Sequence, residues 1–297
     1  MTRKLLFLLL ILAGGPAFAQ LPQTQVYYLP MQYNTKDSAF TFGDMQRISK
    51  KKGYNNQPSF APDGKSIYFV SFMDTSNTDI VNYNLQKKEL KQITFTEENE
   101  YSPMVTPDGK YISCVKGAAQ QLWKYKISNP SKCEPVVTNF DSIGYYTWMN
   151  KNTIISNVLP DPFALYAHVL SIDTNIRLYM GIGRCLQTIK NENTVLYVQK
   201  RDSVNWYINA LELNDNEQPH LYYVNQCIPG EEDFTMLNDG TILMFSKKHL
   251  YKFNMVKDYR WKLIHTFEDA PVDGFYRITV SPDQTGLAIV GYKGRKP

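Results

Sequence analysis

Pro58-Ser-Phe-Ala-Pro-Asp-Gly-Lys-Ser-Ile-Tyr-Phe-Val70 decides the fold, because the chain repeats it 45 residues later as Pro103-Met-Val-Thr-Pro-Asp-Gly-Lys-Tyr-Ile-Ser-Cys-Val115. A third copy, with one inserted residue, stands at Ile278-Thr-Val-Ser-Pro-Asp-Gln-Thr-Gly-Leu-Ala-Ile-Val290. The chemistry is that of a hairpin turn: proline presets φ at the first central position, Asp or Asn bonds its own backbone, and Gly or Asn accepts the left-handed conformation that follows. Two strands must flank each copy. The one behind the turn, Ile67 to Val70, has the β-branched and aromatic residues of a strand covered on both faces.

Three weaker copies align with one another, at Trp148-Met-Asn-Lys-Asn-Thr-Ile154, Ile189-Lys-Asn-Glu-Asn-Thr-Val195 and Met236-Leu-Asn-Asp-Gly-Thr-Ile242. With Asp63, Asp108, Asn150, Asn191, Asn238 and Asp283 as markers, the intervals are 45, 42, 41, 47 and 45 residues. A third, alternating segment follows each turn, as in Ile80-Val-Asn-Tyr-Asn-Leu85 and Leu250-Tyr-Lys-Phe-Asn-Met255. A short fourth closes each unit, as in Gln92-Ile-Thr94, Val136-Val-Thr138 and Leu263-Ile-His-Thr266. Four strands per unit at this period predict an all-β, six-bladed β-propeller with four-stranded antiparallel blades. The sixth unit has only two strands before Pro297, and Val26-Tyr-Tyr-Leu-Pro-Met31 and Gln46-Arg-Ile-Ser49 match its missing third and fourth. The N-terminal strands therefore close the ring and remove an exposed sheet edge.

The motif Pro-x-Phe-x-Pro-Asp-Gly-Lys, followed by Ile-Tyr, an Ile-x-x-Tyr-x-Leu strand and Gln-Ile-Thr, resembles the TolB-like (WD40-like) propeller repeat of exported bacterial proteins. The resemblance is strongest over residues 46–115, with a further turn at 278–290; blades three to five lack the Pro-Asp-Gly core. It implies a binding or scaffolding propeller. Related propellers include enzymes of the prolyl-oligopeptidase type, which carry a hydrolase domain after the propeller, and a chain ending at Pro297 is expected to lack it.

The first 19 residues read as a signal peptide. Arg3 and Lys4 precede the apolar run Leu5 to Leu12, and Ala17-Phe18-Ala19 supplies a small-x-small cleavage site. A run of roughly ten apolar residues is short of the roughly 20 that span a bilayer. Cleavage after Ala19 and a single propeller domain over residues 20–297 are expected, in the periplasm or secreted, with no membrane span in the mature chain. Losing Arg3 and Lys4 leaves 30 basic against 28 acidic residues, which excludes a basic field for nucleic acid. Lys50 to Lys52 and Lys247-Lys248 read as solvated loop charge. Cys114, Cys133, Cys185 and Cys227 allow three full disulfide pairings in an oxidising compartment, and spacing does not choose among them. Without a Cys-x-x-Cys pair, neither a zinc knuckle nor a redox motif is supported.

No catalytic motif is present: the chain has no Gly-x-Ser-x-Gly, no His-Glu-x-x-His and no P-loop. Gly181-Ile-Gly183 reads as a turn. His168 and His249 fall on third strands and His220 and His265 on or beside fourth strands, so the four are expected to be partly exposed and not to converge on the axis. Asp63, Asp108, Asp239 and Asp283 are assigned to turns. The loops from a fourth strand to the next first strand surround one mouth of the channel, and aromatic and acidic residues recur there. Tyr101, Glu100, Tyr145, Tyr146, Glu231, Glu232, Asp233, Phe275 and Tyr276 are the expected binding residues of this rim. Such a rim fits a sugar, a peptide terminus or a cationic segment of another periplasmic or envelope protein. The reading is a non-catalytic binding or scaffold propeller, without cofactor or metal, in the periplasm of a Gram-negative-type bacterium. The alternative is a carbohydrate- or lactone-active enzyme using Glu100, Glu231, Glu232 and Asp233.

Overall fold

The computed structural model describes residues 21–72, 77–189, 192–213 and 218–297. The expected leader with its cleavage site, and the turn marker Asn191, lie outside these residues. Among the described residues there are six antiparallel sheets and, apart from one short 3-10 turn at Leu170–Ile172, no helix. Five sheets are four strands taken in sequence order, and the sixth joins the two ends of the chain. The chain is thus a closed six-bladed propeller.

The turn chemistry read from the sequence is realised in each described repeat. The Oδ1 atoms of Asp63, Asp108, Asn150, Asp239 and Asp283 each accept a hydrogen bond from the backbone N–H two residues on, at 2.8–3.1 Å. Gly64, Gly109 and Gly240 take φ values of +70°, +69° and +79°, where a side chain is strained.

Closure uses β1 (Thr24–Asn34), which pairs along Thr24 to Pro30 with the second strand of the last blade, Gly286–Tyr292. The outer position is filled by two pieces rather than by Gln46–Ser49 alone. β2 (Ala39–Phe42) pairs with Met31–Asn34, and β3 (Gln46–Arg47) pairs with Tyr27 and Tyr28. The hairpin turn at residues 35–38 sends the chain straight back along β1, with Ser38 in the left-handed region at φ +55°. The outer strand of blade two also differs from expectation, running over Asn129–Pro135 just before Val136–Thr138. That strand is polar and exposed, so its sequence carries no apolar alternation to read.

Burial explains why the ring has a hollow axis. The buried apolar residues fall into six clusters, each built from the facing sheets of two neighbouring blades. Phe245, Phe275, Leu29 and Ile289 hold blades five and six together, for example, and Phe69, Ile67, Val26 and Tyr276 hold blade six to blade one. Each fully buried Phe, Leu, Ile or Val contributes about 1.5–3 kcal/mol. The cohesion lies between blades and leaves the first strands free to line a channel.

Candidate functional site

The first strands are Asn55–Phe60, Glu100–Val105, Ile143–Trp148, Ile182–Thr188, Phe234–Met236 and Gly274–Val280. Together they enclose a cavity of about 590 Å³. Its lining reaches Pro62 and Pro107, in the turns between first and second strands, at one end. At the other it stops at Gln57, Ser102, Tyr145, Arg184, Asp233 and Arg277. The space therefore opens toward the Pro-Asp-Gly turns and ends below the rim that the sequence favoured.

A transverse layer closes that inner end. Arg277 of blade six donates through Nη2 to the Tyr145 hydroxyl of blade three at 3.0 Å, a bond that spans the channel, since blades three and six face each other in a ring of six. The Arg277 guanidinium also lies over the Tyr145 ring, 4.8 Å from its centroid, and Tyr276 is contacted by both Arg277 and Arg184 at 5.7 and 5.1 Å. Arg184 of blade four donates through Nη2 and Nε to Asp233 of blade five at 2.7 and 3.2 Å. Tyr54 and Tyr101 of blades one and two, their rings 6.4 Å apart, complete the circle. Beyond the layer, Lys296 donates to the Gly230 carbonyl at 2.8 Å and to Glu231, and Arg184 Nη1 donates to the Pro297 carbonyl at 3.4 Å. Residues 293–297 thus cross this mouth from blade six to blade four.

The nine expected rim residues are largely buried. Glu100, Tyr146, Phe275 and Tyr276 are 0, 4, 0 and 1 % exposed, and Glu231, Glu232 and Asp233 are also buried; Tyr101 and Tyr145 are half-buried. These positions open the first strands, and that is where neighbouring blades pack against each other. Tyr145 and Asp233 face the channel. Glu100 instead points between blades one and two, where it accepts from Tyr125 at 2.9 Å and from Thr94 and Thr96.

The carboxylates fall into two electrostatic classes. Burial alone pushes the Asp233 carboxyl up, but Arg184 and Arg277 outweigh it and hold the group below the usual carboxylate range. Burial raises Glu231, only partly offset by Lys296, and raises Glu100 against the hydroxyls that bond it. Glu232 lies between Lys200 at 3.0 Å and Arg184 at 3.5 Å. At Gly183 that carboxylate passes close to the backbone, since a Cβ there would collide with Glu232 Oε2. Arg184, Arg277, Lys200 and Lys296 gather around Asp233, Glu232 and Glu231, and Arg184 also meets the Pro297 oxygen.

The histidines do not converge on the axis. His168, expected to be partly exposed, is instead 1 % exposed, bonded to Ser156 and Asn175, with burial lowering its pKa. All four cysteines are free thiols, with Cys133 exposed. Among the described residues no group of three or more His, Cys, Asp or Glu is placed to hold a metal ion, and no helix is long and apolar enough to cross a membrane.

The architecture has clear counterparts. The putative TolB of Agrobacterium tumefaciens superposes with a TM-score of 0.65 at 11% identity, covering 92% of this chain and 99% of that one. The fold is that of a TolB-like propeller. TolB of Acinetobacter baumannii superposes at 0.57 with 14% identity over 91% of this chain, which spans 64% of that longer protein. A putative gluconolactonase superposes at 0.61 with 9% identity, over 91% of this chain and all of that one, so the same fold also serves proteins described as enzymes. In sequence, dipeptidyl-peptidase 5 of Porphyromonas gingivalis is 39% identical over 74 residues, 23% of this chain and 11% of the peptidase. No protein-family model matches the chain.

Sequence reasoning missed Arg184, Arg277, Gln57 and Ser102. The signal for the arginines was present, because each interrupts a first strand with a charge, Arg277 between Tyr276 and Ile278 and Arg184 between Gly183 and Cys185. Gln57 and Ser102 are both left-handed, at φ +56° and +52°, in bulges where the first strand slips register against the second. A bulge re-aims a side chain, and both of these residues line the cavity.

Proposed function

We propose that this chain is an exported, non-catalytic binding propeller that takes a segment of an envelope partner or ligand into its channel through the mouth formed by the first-to-second-strand turns. The observation that carries this reading is the cavity itself: about 590 Å³, reached from the Pro62 and Pro107 turns and closed at its inner end by the Arg277–Tyr145 bridge. A blind, concave space with a mixed apolar and polar lining is suited to holding a ligand. The state of the carboxylates supports binding over turnover. Asp233, Glu232 and Glu231 are each held by cations, and Glu100, which shares the Thr94 hydroxyl with Asp79, faces away from the channel, so none is free for acid and base work there. Export rests on the leader of residues 1–19.

Filling the channel tests the reading. Thr279→Trp and Met104→Trp, on the first strands of blades six and two, should fold normally yet lose the partner that the wild-type chain retains from the envelope fraction. Capture that survives both, or hydrolysis of a lactone or glycan that depends on Asp233, contradicts it. The exported protein should begin at Gln20 by intact mass.

A further inference from the structure

Arg277 is under-used for a residue so deeply placed. A guanidinium offers five N–H donors, and within ordinary hydrogen-bond distance Arg277 makes one bond, to the Tyr145 hydroxyl. Its contact with Asp233 is 3.6 Å, and Asp233 is already held more closely by Arg184. Its Nε is buried with no hydrogen-bond partner, although its side chain is only 13 % exposed. A buried donor left unpaired is costly, and such groups are rare in folded proteins. A second one lies on the same cavity, because Ser102 Oγ is also buried and unpartnered. Ser102 sits there in a left-handed bulge, with its backbone N–H bonded to Gln57 Oε1. Non-glycine residues in that conformation are strained and gather where a site requires them.

Charge points the same way. Arg277 is the cation of the cluster with no carboxylate within ordinary hydrogen-bond distance, and it lines the cavity. The walls leading to it mix apolar side chains such as Met104 and Leu186 with hydroxyls such as Thr147, Thr188 and Thr279. The five residue steps from Gln57 to Pro62 give the passage a length of roughly 16 Å.

We propose that the inner end of the channel is a carboxylate site, in which Arg277 and Ser102 receive the acidic group of an extended peptide segment entering from the turn mouth. The proposal rests on the channel reading given above and names its ligand chemistry. On binding, Arg277 exchanges one neutral phenol for a charged, bidentate acceptor, which is the stronger partner for a planar guanidinium. The Arg277 guanidinium gains a close carboxylate, which Asp233 at 3.6 Å does not supply, and both orphaned donors gain acceptors.

The test is calorimetric titration of the mature chain with three probes: N-acetyl-tetraalanine with a free carboxylate, its C-terminal amide, and the amide of N-acetyl-Ala-Ala-Asp-Ala. Both carboxylate probes should bind at least tenfold more tightly than the tetraalanine amide; a preference for one of them tells a terminal from a side-chain source. Arg277→Gln should remove that preference, Arg277→Lys should keep part of it, and Ser102→Ala should weaken both acids while leaving the amide unchanged. Ser102→Ala answers alone if the arginine variants do not fold. Equal binding of acids and amide, or no binding of any probe, overturns the carboxylate site, and loss of partner capture in Thr279→Trp then leaves the channel reading standing. Acid binding that Thr279→Trp leaves untouched overturns both.

Discussion

Asp233→Asn is the substitution that weighs the electrostatic layer most directly. It keeps the shape of the side chain and removes the one carboxylate lying between Arg184 at 2.7 Å and Arg277 at 3.6 Å. Asp233 is 5 % exposed and the arginines 15 and 13 %, so solvent does little to screen the change. Arg277 is then left buried without a carboxylate, and Arg184 keeps only the longer contact to Glu232 at 3.5 Å. Breaking a buried pair in this way costs about 3–5 kcal/mol. For a domain of this size about 2–4 °C of melting temperature is lost per kcal/mol, so the variant should melt about 6–20 °C below wild type. Glu134→Gln, which breaks the exposed pair with Lys124, is the control and should cost at most about 1 kcal/mol. The difference must also depend on pH. Because the Asp233 carboxyl is held below its unfolded value, its contribution is present above that value, near 3.9, and is lost as pH falls through the folded one. Calorimetric melts at pH 7 and in strong acid should therefore show the gap closing. A variant melting within 2 °C of wild type at pH 7 would refute the claim that this layer is held by charge.

Three further outcomes follow from the same geometry. Removing residues 24–49 strips β1 to β3 from blade six and with them the buried Val26, Leu29 and Met31, about 1.5–3 kcal/mol each; expression should give insoluble or unfolded protein, and a soluble monomer with an unchanged melt contradicts closure by β1. Thiol titration of the purified chain should find four free thiols, with Cys133 reacting first and Cys227, whose thiol burial pushes up to about 12, reacting only in denaturant. Burial raises Glu100, so its charged form opposes folding as pH rises from its unfolded value, near 4.3, through the raised one; the stability of Glu100→Gln relative to wild type should therefore increase between pH 4 and pH 7, as read by chemical denaturation.

The repeat was legible because a hairpin turn demands particular residues, and Asp63, Asp108, Asp239 and Asp283 all make the backbone bond that the motif implies. Closure was legible because β1 carries an apolar pattern that only a sheet partner satisfies. Outer strands such as Asn129–Pro135 were not, since an exposed edge has no buried face to leave a period in the sequence. The burial of the rim residues was not legible for a related reason. Glu100, Phe275 and Tyr276 stand where loops become strands, and only the packing of neighbouring blades turns them inward. His168 was likewise buried by partners distant in sequence, Phe140 and Ser156. Arg277 and Arg184 called for a different question, namely which charges interrupt a strand that must face the axis.

Photocrosslinking from inside the channel tests the central claim most directly. A benzophenone side chain placed at Met104, on the channel wall, should crosslink to the bound partner or acidic peptide, whereas one at Glu97, in an exposed loop of the opposite mouth, should not. Crosslinking from Glu97 with none from Met104 would contradict the account and return the binding site to the fourth-to-first-strand rim.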